Sequence, residues 1–140
     1  MIVPRVLYWD ASAIVSAIVR DERSDRVEDL VSRDATHLVS SLAWAETHAV
    51  VARAERDGRL APVLCDAARD ALNAPLWRRA NIAPDWNIVA NLARSRALRG
   101  ADLWHLATAK TLLADIPELL FVSFDQRLVD AATEAGLTLA

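Results

Sequence analysis

Apolar residues recur along this chain in two rhythms. Val6-Leu7-Tyr8-Trp9 is a short unbroken apolar run, the mark of a strand covered on both faces, and Leu119 to Phe124 is a second. His37 to Val39 is a shorter third. Trp77 to Ile82 is a fourth, which Arg78 and Arg79 confine to a sheet edge, and Leu137 to Leu139 can add a final short strand. Between these runs the spacing turns helical. Ala11 to Arg20 carries Ile14, Val15 and Ile18 on one side, and after a polar break Val27, Leu30 and Val31 mark a helix to about Arg33. Ser40 or Ser41 caps a long helix to about Asp57, and Pro62 sits in the first turn of another from Ala61 to Leu76. Further helices run from Pro84 to about Leu98, from Ala101 to Ala114 after a break at Gly100, and from Gln126 to Ala135. Gly58 and Gly136 supply stops. Strands alternating with helices predict a single α/β domain over residues 1–140, with a central parallel sheet and helices on both faces.

Composition narrows the class. A chain of 140 residues can bury roughly two-thirds of its unfolded surface in one core. Its 54% hydrophobic content is rich in Ala, and no apolar run approaches the ~20 residues of a membrane span. Pro4 and Arg5 break the N-terminal apolar segment, so no signal peptide is expected. Cys65 is the only cysteine, which excludes an internal disulfide and a thiolate metal cluster. These features point to the cytoplasm. The net charge of −3 argues against a general polyanion binder, so any nucleic-acid contact must be local, through arginines or metal ions.

Four acids stand where the fold would accept a neutral residue. Asp10 and Asp125 each end a core strand and precede a helix, which puts both on the carboxyl edge of the sheet, where open α/β folds place their ligands. Glu46 shares a four-residue row with Leu42 and Val50 on a face expected to pack inward. Asp102 opens a helix whose next residues are core-like. Capping or the helix dipole can account for Asp10, Asp102 and Asp125 singly, and Glu46 could pair with Arg53. Four acids able to converge on one edge are harder to explain that way. Two carboxylates about 5 Å apart repel by roughly 3 kcal/mol at an effective dielectric near 20. A divalent cation relieves that repulsion. Oxygen donors select Mg2+ or Mn2+, and such ions are commonly completed by a phosphate ester.

The segments Tyr8-Trp9-Asp10-Ala11-Ser12-Ala13, Ala45-Glu46, Gly100 to Ala109 and Val122 to Leu128 together resemble the four acidic motifs of PIN-domain ribonucleases. Within that family they are most similar to the VapC toxins of VapBC toxin–antitoxin modules. Trp9 stands where the family usually has a smaller aliphatic residue, and Ala11 replaces a common Thr or Ser. The resemblance implies a PIN-like three-layer α/β/α sandwich with a mostly parallel sheet. It implies a Mg2+- or Mn2+-dependent endoribonuclease in which Asp10, Glu46, Asp102 and Asp125 hold one or two ions. Ser12 and Ser123 would support those carboxylates, and Arg94, Arg96 and Arg99 would meet RNA phosphates. Products with 5′-phosphate and 3′-hydroxyl ends, a cognate VapB-like antitoxin and a homodimer follow from the same resemblance. The five Trp exceed what a small core needs, and Trp44, Trp77, Trp86 or Trp104 could line a groove for the antitoxin.

Other readings use the same residues. A metal-independent ribonuclease would draw on His37, His48 and His105 as acid and base. A phosphoacceptor of the receiver or haloacid-dehalogenase type would need further acids beside Asp10, where Ser12 stands instead. A non-catalytic PIN-fold interaction module, or an RNA-processing nuclease outside a toxin–antitoxin pair, would keep the fold and change the task.

Overall fold

The computed structural model describes residues 5–140; the Pro4 break lies outside them. Five strands, β1 (Arg5–Trp9), β2 (Ala35–Ser40), β3 (Trp77–Ala80), β4 (Leu120–Val122) and β5 (Thr138–Leu139), form one sheet in the order β3-β2-β1-β4-β5. Every pairing is parallel. The chain runs outward from β1 through β2 to β3, then returns to the other side of β1 for β4 and β5. The reversal creates a topological switch point between β1 and β4, and at such points a crevice opens beyond the strand ends.

The helices are α1 (Ala11–Ile18), α2 (Ser24–Val31), α3 (Ser41–Arg56), α4 (Pro62–Leu72), α5 (Trp86–Ser95), α6 (Gly100–Leu113) and α7 (Gln126–Glu134). Strand period two divides the core between them. Leu7 and Trp9 of β1, with Val39 and Val122, pack against Ala13, Ile14, Val27, Leu30, Ala43 and Leu72 of α1 to α4. Tyr8, between them in sequence, faces the other way with Leu38 and Phe121, against Leu106, Ala109, Leu128 and Ala131 of α6 and α7, where Leu92 of α5 joins. This is the three-layer sandwich that the alternating pattern implied.

Trp9 is fully buried, and its indole N–H therefore needs a partner. It donates to His37 Nδ1 at 3.2 Å, while His37 Nε2 faces the Arg33 carbonyl at 3.4 Å. Burial lowers the His37 pKa, which keeps the imidazole neutral and Nδ1 free to accept. Trp77 packs edge-on against Trp9, with ring centroids 5.1 Å apart, and donates to the Ala71 carbonyl at 3.0 Å. Trp9 and Trp77 are thus core residues, whereas Trp86 is 90% exposed.

Several boundaries move for local reasons. The helix expected to Leu76 stops at Leu72, because Pro75 disfavours helical geometry at Ala74. Asp85, and not Pro84, caps α5, its Oδ1 accepting from Asn87 and Ile88 amides at 2.9 and 3.1 Å. The same helix ends at Ser95, short of Leu98, because Arg96 turns extended and its guanidinium pairs with Glu134 of α7. Gly100 is the first residue of α6 and does not precede it. Gly136 takes a φ of +89°, which frees the Leu137 amide to reach the Ala132 carbonyl at 2.9 Å and close α7. Among the described residues no helix is long and apolar enough to cross a membrane.

Candidate active site

Asp10 follows β1 and caps α1. Only 3% of it is exposed, so each carboxylate oxygen must find donors within the protein. Oδ1 accepts from the Ala13 amide at 2.9 Å and from Ser12 Oγ at 2.8 Å. Oδ2 accepts from Ser123 Oγ at 2.6 Å and lies 3.0 Å from Ser12 Oγ. The two serines are themselves anchored: Ser12 Oγ accepts from the Phe124 amide at 3.2 Å, and Ser123 Oγ accepts from the Asp125 amide at 3.1 Å. The Asp10 amide donates to the Val122 carbonyl at 3.0 Å, tying the end of β1 to the end of β4. Burial pushes the Asp10 carboxyl up, while these donors and the nearby His105 pull the other way. Asp10 is therefore an N-cap and also the fixed centre of a web that spans the switch point.

Asp125 caps α7 through Oδ1, which accepts from the Arg127 and Leu128 amides at 3.0 and 3.4 Å. Asp102 lies in the first turn of α6. Its carboxyl is held above the usual range, first by burial and then by the charges of Asp125 and Glu46; His105 and Arg99 offset part of this. Asp102 thus feels the charge of Asp125 and Glu46, and His105, bonded to Glu46, acts on both Asp102 and Asp10, so the four acids lie about one edge of the sheet. Among the described residues, however, no three acid, His or Cys side chains close around a single point. The donor set fits a hard divalent cation even so, because Mg2+ commonly takes one or two carboxylates and completes its shell with waters and substrate phosphate.

Glu46 is not where the helical row suggested. The inward row of α3 is Ala43, Thr47 and Val51, while Val50 is 44% exposed. Close packing against α1 and α4 selects the row with small Ala43 and Thr47 over the bulkier Leu42 row. Glu46 lies beside that inward row, half-buried, and its partner is His105 in place of an arginine. His105 Nε2 donates to Glu46 Oε1 at 2.6 Å, and Nδ1 meets the Tyr8 hydroxyl at 2.8 Å. His105 is 1% exposed, so the imidazole is fixed at both ends. Burial, its largest influence, pushes the Tyr8 phenol up, which keeps the hydroxyl protonated. A Tyr8–His105–Glu46 chain thus carries order from the core to the site. In sequence Tyr8 and His105 stand within the first and third acidic motifs, and His105 is also a candidate acid or base, but nothing there pairs the two with each other or with Glu46. The one available sign was His105 on the Leu106 side of a helix that also bears Asp102.

The histidines do not form an acid–base pair. His37 belongs to the Trp9 cluster, His48 packs on Trp44 with ring centroids 4.7 Å apart, and His105 is held by Tyr8 and Glu46. The three arginines ahead of Asp102 also separate. Arg96 is paired with Glu134, Arg94 is exposed at the end of α5, and Arg99 immediately precedes α6 with its charge acting on Asp102. A cleft of about 450 Å3 between α5, α6 and α7 includes none of the four acids in its lining.

Acids that follow β1 and β4 and sit on α3 and α6 stand about the switch point, and residues 7–134 match the PIN domain family. The chain belongs to that family. It is 35% identical over 141 residues to ribonuclease VapC45 of Mycobacterium tuberculosis strain CDC 1551 / Oshkosh, covering 96% of this chain and 94% of the relative. Ribonuclease VapC49 of strain H37Rv matches with the same 35% identity and the same coverage of 96% and 94%. The fold is also similar to that in the crystal structure of VapBC2 from Rickettsia felis bound to a promoter DNA fragment. The TM-score there is 0.63 at 15% identity, over 96% of this chain and 97% of the other.

Proposed function

We propose that this chain is a divalent-metal-dependent endoribonuclease and the toxin of a type II toxin–antitoxin pair, with Mg2+ or Mn2+ as its cation. The observation that carries the reading is Asp10, buried and held by Ala13, Ser12 and Ser123 at the strand end where Asp102, Glu46 and Asp125 gather. The relatives named ribonuclease VapC45 and VapC49 supply the reaction class. The VapBC2 complex supplies the model for an antitoxin partner.

In this reading Asp10 presents carboxylate oxygens that cannot rotate away, because both serines and an amide fix them. Glu46 has one oxygen on His105, which leaves the other free to accept from a further partner. Asp102 and Asp125 bring further negative charge to the same edge, and Arg99 stands beside Asp102 for a substrate phosphate. A bound divalent cation supplies the Lewis acidity that lowers the pKa of a water and offsets charge on the phosphate. Hydrolysis then leaves 5′-phosphate and 3′-hydroxyl ends. The protein works in the cytoplasm as a homodimer, restrained by a VapB-like antitoxin.

Total cellular RNA incubated with the purified chain and Mn2+ tests this. Discrete cuts with 5′-phosphate ends, lost with EDTA and in Asp102→Asn, are the expected result. Cleavage that survives EDTA and leaves 2′,3′-cyclic phosphate ends would overturn it.

A further inference from the structure

The same carboxyl edge carries a second concavity. It holds about 240 Å3 and is lined by Ser40, Ser41, Trp44, Arg79, Ala80 and Asn81. Its base is the place where β2 and β3 end, with Ser40 in register with Ala80. Because β2 separates β3 from β1, the concavity lies two strand spacings from Asp10, roughly 10 Å.

The Arg79 guanidinium lies over the Trp44 indole, 4.9 Å from the ring centroid, and His48 packs edge-on against the same indole. Arg79 is exposed, and among the described residues it has no carboxylate within ion-pair distance, unlike Arg26, Arg33, Arg69 and Arg96. A guanidinium held over an indole by cation–π attraction still has N–H donors to offer a further partner. The first turn of α3, which begins at Ser41, adds the partial positive charge of unpaired amides. Arg79 combines an exposed cation, no neighbouring carboxylate and an aromatic plane beneath it, a combination that suits an anion with a flat ring attached. Single-stranded RNA supplies both, since its bases stack on aromatic and Arg planes and its phosphates take guanidinium hydrogen bonds.

We infer that this concavity holds one nucleotide of a single-stranded RNA substrate, a step or two along the strand from the phosphate at the acids. Arg79 meets the phosphate and the Arg79–Trp44 stack supports the base. The inference rests on the endoribonuclease reading above.

Binding of a fluorescein-labelled, mixed-sequence RNA dodecamer to the full chain, followed by anisotropy in EDTA so that nothing is cut, tests it. Arg79→Ala weakens binding about tenfold, the scale of one lost stacking platform. It also flattens the dependence of log affinity on log salt by about 0.7, the share of one phosphate contact on a single strand. Arg79→Lys keeps the salt slope and loses part of the affinity, and both variants melt like the wild type because Arg79 is exposed. Wild type that cleaves cellular RNA with Mn2+ but binds the dodecamer no better than Arg79→Ala overturns the subsite and leaves the nuclease reading intact. Wild type that neither binds nor cleaves removes both. Weakened binding that tracks a change in sedimentation mass also overturns the inference, because the concavity then serves a second copy of the chain.

Discussion

Two buried histidines sit on opposite sides of β1, each hydrogen-bonded to one of two adjacent aromatic residues. His37 accepts from Trp9, and its far nitrogen ends on a backbone carbonyl at Arg33. His105 meets Tyr8, and its far nitrogen ends on the side chain of Glu46. Both are 1% exposed and both satisfy an aromatic hydrogen-bonding group inside the core. The difference lies in where each chain ends. One closes on the backbone and serves the fold. The other ends on a half-buried acid at the carboxyl edge, so the same local device closes on the backbone on one face and on a proposed site acid on the other.

The largest loss belongs to the buried acid at the end of β1: Asp10→Asn removes charge from the fixed centre of the web and lowers RNA cleavage on the order of 10³-fold in a gel-based rate assay. Ser123→Ala, which deletes the 2.6 Å bond to Oδ2, costs about 10–100-fold in Mn2+ affinity while the fold persists. His105→Leu leaves Glu46 without its partner and lowers cleavage by about tenfold or more. His105→Gln, which keeps a donor toward Glu46, recovers part of that loss, and a purely structural role for His105 would give no such recovery.

His37 should behave in the opposite way. His37→Leu orphans the Trp9 indole and costs about 1–3 kcal/mol in chemical denaturation, with cleavage per folded molecule unchanged. Its pH dependence has a definite sign. The folded pKa of His37 lies below its unfolded value, so its contribution is fully present above the unfolded value near 6.5 and is lost as pH falls toward the folded one. The smallest effect concerns Asp102, whose folded pKa is raised. A raised carboxyl favours the folded state below its unfolded pKa, and that advantage is lost as pH rises through the folded value. Asp102→Asn therefore melts a few degrees above the metal-free wild type at alkaline pH, and the gap closes as the solution is acidified.

How much of this could be read from the sequence depended on sequence distance. Asp10 and Asp125 were legible because each interrupts an apolar strand just before helical spacing begins, a signal contained in a few residues. Ser12 and Ser123 stood within two residues of those acids, and the structure puts both on Asp10. The Trp9 core was legible as apolar but not as a cluster, since His37 is contributed by another strand. His105 was opaque for the same reason: its partners lie 97 and 59 positions away, and no periodicity within α6 reports them. The face of α3 was misread because Leu42 and Val50 look like core residues. The packed face instead uses Ala43 and Thr47, whose small size matters only when α1 and α4 are in place. Arg96 looked like a phosphate contact until the fold brought Glu134 of α7 beside it.

Titrating Mn2+ into the metal-free protein near neutral pH, with electron paramagnetic resonance counting the free ion, tests the central claim most directly. The account predicts saturable binding in the wild type, weakened at least about tenfold in both Asp10→Asn and Asp102→Asn, and unchanged in His37→Leu. Equal Mn2+ affinity in the wild type and in both aspartate variants would contradict it, because the carboxyl edge would then be no cation site.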